Sequence, residues 1–196
     1  MFSRWNMKKL VSVIGDSAIE KDGAKYKAAF SIGKALVDNG YRVASGGLGG
    51  VMAAAFDGAR SSKFYSEGDT VAILPMFDRG QANDSADIII ATGLDLYRNV
   101  IVANSDAVIA VGGGAGTLTE ICNAWALRRL ILAVKGVDGW SSRVADIRLD
   151  ERIRHPEIEE DRIFGVSSAE EAMALLEKYI PLYEAGSVYT GIRPAE

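Results

Sequence analysis

Within Val111–Glu120, "VGGGAGTLTE", four glycines, two threonines and a carboxylate fall between an apolar run, "DAVIAV", and an amphipathic one, "ICNAWALRRL". Glycine weakens any strand or helix it joins, because it has the most backbone freedom to lose. A run of it there implies that something comes close to the backbone. Successive amides in such a turn, together with the unpaired N–H groups and positive dipole end of the helix expected to open near Thr117, form a seat for an anion. Phosphate is its natural occupant, with Gly113, Gly114, Gly116 and Thr117 as the holding residues. Glu120 falls within the opening of that helix. One reading makes it the partner of Thr117 in a capping box. The other makes it a carboxylate that works on the ligand.

Two more strand ends have the same character. "SGGLGGVM" places Gly46, Gly47, Gly49 and Gly50 after a second apolar run, and "VSVIGDS" ends a first one in Gly15, Asp16 and Ser17. Asp16 and Ser17 also suit an ordinary turn. Neither glycine loop is a dinucleotide fingerprint or a P-loop: the Gly-x-Gly-x-x-Gly order with its later acidic residue is missing, and so is Gly-Lys-Ser/Thr.

The elements that must position these residues follow from periodicity. Short apolar runs alternate with helical patterns along the chain. Near-continuous apolar strands separated by helices predict a parallel sheet covered on both faces. The expected fold is α/β: a doubly wound, mainly parallel, Rossmann-like sheet of about seven strands. Ligands of such sheets bind beyond the carboxyl ends of the strands, where all three small-residue loops lie. Residues 1–180 are expected to form a single nucleotide-binding domain, and 181–196 a polar tail. Residues 94–105 are expected to form one helix, with Tyr97, Val100, Ile101 and Asn104 at helical spacing. "ERIRHPEIEEDR" is expected to be exposed, with His155 solvated.

Composition narrows the function. With net charge -4 and no basic stripe, nucleic acid is not an expected partner. One cysteine and one histidine exclude a Cys/His zinc site, and no metal is expected. Cys122 and Trp125 read as core or interface. No apolar run reaches the roughly 18 residues of a membrane helix, and "LVSVI" is too short for a signal-peptide core. The expectation is a soluble cytoplasmic protein.

On these motifs the chain resembles the Lonely Guy superfamily, long labelled "possible lysine decarboxylase". Gly113–Glu120 matches that family's Gly-Gly-x-Gly-Thr-x-x-Glu motif, Arg98 its upstream arginine, and "SGGLGGVM" its glycine-rich stretch. "GYRVASGGLGGVM" and "GVDGWSSRV" are similar to a subgroup near the molybdenum-cofactor carrier proteins. The resemblance implies a bound phosphorylated, nucleotide-like ligand, with carrier or sensor as the role. No cofactor is required, although a bound nucleotide or molybdopterin-like ligand fits. The alternative it implies is a phosphoribohydrolase, in which Arg98 and Glu120 form the catalytic pair that splits a nucleoside 5'-monophosphate into base and ribose 5-phosphate. A carboxylate can stabilise the oxocarbenium-like transition state or activate water. The chain departs from the family pattern at Gly112 (usually proline), Asp16 (serine), Asn99 (lysine) and Thr119 (often glutamate). A pyridoxal site is not expected, since nothing around Lys135 supports a Schiff base. The resemblance, with the surplus of apolar residues in 96–105 and 117–130, implies a homodimer or higher even oligomer.

Overall fold

The structure is a computed structural model that describes residues 7–186. Among them, seven strands form one parallel sheet: β1 (Leu10–Gly15), β2 (Arg42–Ser45), β3 (Thr70–Leu74), β4 (Ile88–Ala91), β5 (Ala107–Val111), β6 (Leu130–Val134) and β7 (Phe164–Val166). Their order is β4-β3-β2-β1-β5-β6-β7. The direction of winding reverses between β1 and β5, which pair from Val11 opposite Ala107 to Gly15 opposite Val111. A crevice opens at such a reversal because the flanking crossovers leave to opposite sides.

Among the described residues six α-helices complete the layers: α1 (Ala24–Asp38), α2 (Val51–Arg60), α3 (Asn99–Ala103), α4 (Ala115–Ala126), α5 (Trp140–Val144) and α6 (Ala169–Gly186). The strands feed both layers through their two-residue alternation. Ala107, Ile109 and Val111 of β5 join the core under α1, α2 and α6, while Val108 and Ala110 join the core under α3 and α4. β4 is the exception to full coverage. As an edge strand it leaves Ile88 and Ile90 exposed. No helix among the described residues is long and apolar enough to cross a membrane.

Three local expectations change. The helix expected over 94–105 is a 3-10 turn, Asp95–Arg98, followed by the five-residue α3. Asp95 has a φ of +49°, so the chain enters through a left-handed residue, and Tyr97, Val100 and Ile101 face outward. The segment around His155 is anchored, not solvated. His155 and Arg154 are buried; Arg154 pairs with buried Asp161, and its guanidinium lies over the Trp125 ring at 3.6 Å. Tyr183 donates its hydroxyl to the same Asp161. That contact accompanies the third change: α6 runs on past Pro181 to Gly186 because Tyr179 and Tyr183 belong to the core. The rest of the expected tail, 187–196, lies outside the described residues.

Candidate functional site

Above the carboxyl ends of β1, β2 and β5 lies a cavity of about 310 Å³. It brings together Gly15, Asp16 and Ser17 from β1, Gly46 from β2, and Gly114, Gly116 and Thr117 from the opening of α4. Arg98 and Glu120 face it as well. Gly47, Gly49, Gly50 and Gly113, also singled out from the sequence, do not line it. Leu48, Met52, Leu96 and Asn99 do, and sequence reasoning did not assign them. Asn99 had two available signals: it follows Arg98 directly, and it stands where the resembling family has lysine.

The loop after β5 is shaped from both sides. Gly112 and Gly113 have φ of +64° and +96°, a region that glycine enters without strain. The amides of Trp140 and Ser141 donate to the Gly113 and Gly112 carbonyls, each at 2.9 Å. The Gly113 amide donates to Asp16 Oδ2 at 2.8 Å, which also accepts from Lys25 Nζ at 2.7 Å. This corrects the sequence reading: a carboxylate of the chain already occupies the Gly113 amide, so that amide is not free for phosphate. Asp16 is thereby a latch between two loops.

α4 opens at Ala115 with Gly114 as its N-cap, and no side chain caps it. The Leu118 amide donates to the Gly114 carbonyl, so the amides of Ala115, Gly116 and Thr117 precede the first intrahelical bond. A Cβ built at Gly114 or Gly116 would meet nothing within 4 Å. The opening two residues earlier than expected makes Thr117 the third helical residue, not the N-cap, and puts Glu120 in the second turn, so the capping-box role does not hold.

Arg98 Nη1 donates to Glu120 Oε1 at 2.7 Å, with both side chains about nine-tenths buried. Burial drives the Glu120 pKa up from 4.5 to about 7, against the Coulombic attraction and hydrogen bond of Arg98, which lower it. The Arg98 Nε–H is buried without a partner among the described residues, which is costly for a charge-bearing group unless something else accepts from it. Arg98 also packs on the glycine loop after β2, where a Cβ at Gly46 would stand 2.5 Å from Nη2. Chemically, the crevice offers a helix opening with free amides, a guanidinium, and a carboxyl that titrates near neutrality. A larger cavity of about 430 Å³ lies behind the Asp16–Lys25–Asp138 cluster, with Lys25 and Asp138 in its wall. No group of three or more His, Cys, Asp or Glu among the described residues is placed to hold a metal ion.

The model of the SLOG cluster4 family matches residues 8–173. An uncharacterized protein of Archaeoglobus fulgidus is 45% identical over 115 residues, which cover 58% of this chain and 72% of that protein. The cytokinin riboside 5'-monophosphate phosphoribohydrolase LOG of Oryza sativa subsp. japonica is 26% identical over 200 residues, covering 94% of this chain and 79% of the rice protein. Among solved structures, the molybdenum cofactor binding protein of Rippkaea orientalis superposes with a TM-score of 0.72 at 27% identity, over 89% of this chain and 99% of that one.

Proposed function

We propose that this chain, which belongs to the SLOG cluster4 family, binds a phosphorylated, nucleotide-like ligand at the β1/β5 crevice and serves as its carrier or sensor. One observation carries the reading: Gly116 and Thr117, whose amides have no partner among the described residues, line the cavity that Arg98 faces. Helix-opening amides favour an anion through both hydrogen bonds and the dipole. The orphaned Nε–H of Arg98 gives that anion a further donor. Asp16, Lys25 and the α5 amides hold the loop in place before any ligand arrives, so little ordering cost falls on binding. The similarity to a molybdenum cofactor binding protein supports a carrier with a phosphorylated cofactor or nucleotide as cargo.

Hydrolysis is the second reading, favoured by Glu120. A carboxyl with a pKa near 7 is matched to proton transfer at neutral pH, and the similarity to the rice phosphoribohydrolase points the same way. The experiment is calorimetric titration with inorganic phosphate, AMP, GMP and IMP, followed by assay of the nucleotides for ribose 5-phosphate. Saturable binding without release supports the carrier; release that Glu120→Gln abolishes supports the hydrolase. Absence of binding by phosphate and by all three nucleotides overturns both.

The assembly reading is a homodimer or higher even oligomer. Leu96, Tyr97, Val100 and Ile101 form an exposed apolar face beside the crevice, and such faces mark interaction sites. Closed two-fold assemblies are the commonest kind. Light scattering at micromolar concentration decides it, and a monomer mass refutes it.

A further inference from the structure

We infer that Asn99 is the specificity-determining residue of the crevice: its side-chain carbonyl selects ligands that present a hydrogen-bond donor beyond their phosphate, either a sugar hydroxyl or an amino group on the base. The inference rests on the reading that the crevice takes a phosphorylated ligand.

Asn99 is buried and lines the cavity. An asparagine amide offers two donors and an acceptor, and its orientation is set by its neighbours. Here one neighbour decides. Thr119 Oγ1 donates its hydrogen to the Gly116 carbonyl at 2.7 Å. The hydroxyl is left with lone pairs only, so the 2.7 Å contact with Asn99 must have Nδ2 as the donor. Nδ2 also leans toward the Gly116 carbonyl at 3.5 Å. The amide is therefore pinned, nitrogen toward α4. Its Oδ1 accepts from no protein group among the described residues.

This chain of contacts ties specificity to the anion seat. Gly116, whose amide is one of the three free donors, holds Thr119 through its carbonyl, and Thr119 holds Asn99. Two positions where the chain departs from the Lonely Guy pattern, Asn99 and Thr119, thus form a single uncharged pair. The pair adds no formal charge to a crevice that already contains the Arg98–Glu120 pair. An uncharged acceptor at that point favours the neutral, donor-bearing part of a monophosphate ester and offers nothing to a second phosphate.

The test compares AMP with two analogues: 2',3'-dideoxy-AMP, which lacks the sugar donors, and purine riboside 5'-monophosphate, which lacks the ring amino group. Inorganic phosphate is the control. The parent protein is expected to bind AMP about tenfold more tightly than one of the two analogues, the size of one well-made hydrogen bond. Which analogue is weaker identifies the source of the donor. In Asn99→Leu that ratio falls to near one. Thr119→Val, which lets the amide turn over and keeps Asn99 in place, reduces the ratio as well and serves if the leucine variant melts early. A parent that binds phosphate but does not discriminate overturns the role of Asn99 and leaves the anion seat standing. So does a ratio that survives in both variants. A parent that binds neither phosphate nor AMP overturns the anion seat and this inference together.

Discussion

After β2, glycines 46, 47 and 50 press against the rest of the chain; after β5, glycines 114 and 116 face open space. A Cβ at Gly46 would strike Arg98, one at Gly47 would strike Ala72 and Leu74, and one at Gly50 would lie 2.2 Å from the Asp16 carbonyl. The polar groups of the first loop are engaged too. Asn83 donates to the Gly47 and Leu48 carbonyls, and the Gly47 amide donates to Ser45 Oγ. The second loop divides in half. Gly112 and Gly113 are clamped by α5 and Asp16, while Gly114 to Thr117 keep their amides free. Two stretches that look alike in sequence therefore have different tasks. One lets helix, loop and strand approach each other, and the other leaves room for a ligand. Arg98 joins them, seated on Gly46 and paired with Glu120 of α4.

The largest effect should come from the crowded loop. Gly50→Ala combines a left-handed backbone, φ +64°, with a contact against main chain that cannot move aside. A loss of roughly 3 kcal/mol or more in urea unfolding is expected. Near-parental stability would dissolve the contrast between the loops.

Glu120 should produce the next effect, read through pH. Its folded pKa lies above its usual value, so the native state holds more protons than the unfolded chain between about 4.5 and 7. Stability contributed by this group is present at the acid end and lost as pH rises through that window, on the order of 3 kcal/mol. Glu120→Gln should flatten the fall, because an amide has no proton to lose and still accepts from Arg98. Unfolding curves at pH 5 and pH 8 for parent and variant measure it; identical slopes would mean that Glu120 titrates normally.

Asp16→Asn tests the latch. It weakens the contact with Lys25 and turns a charge-assisted bond from Gly113 into a neutral one, at about 1–2 kcal/mol. Phosphate affinity should fall alongside, since the loop is then less well held; unchanged affinity would separate the latch from the seat.

The smallest change in stability should come from the open loop. Gly116→Ala meets no atom and adds a better helix former to the first turn of α4. It should leave stability unchanged or raise it by up to about 1 kcal/mol, while its methyl group weakens phosphate binding. A destabilised variant would show that this loop is crowded after all.

Much of the architecture was legible because its signals are local. Strand and helix periods lie within a few residues of one another, and the three small-residue strand ends could be read without any partner. What failed depended on distant residues. The burial of His155, Arg154 and Asp161 needs Trp125 and Tyr183, which they meet at separations of 22 to 29 residues, and a charged stretch by itself reads as surface. The helix start at Ala115 was misplaced by two residues because Gly116 looked like loop. Glycine costs a helix little in its first turn, where the backbone donors are unpaired anyway.

By itself the sequence determined the α/β class, the parallel sheet and the glycine-rich strand end Gly113–Thr117, since apolar period and residue type are enough for these; Arg98 joined Glu120 only through the resemblance to the Lonely Guy motif. Tertiary structure alone decided which glycine amides stay free, that Asp16 takes the one on Gly113, and that Asn99 and Thr119 form a pair. Those outcomes depend on which atoms meet when three loops converge at the β1/β5 reversal. Separations of 20 to 97 residues leave no trace in local pattern.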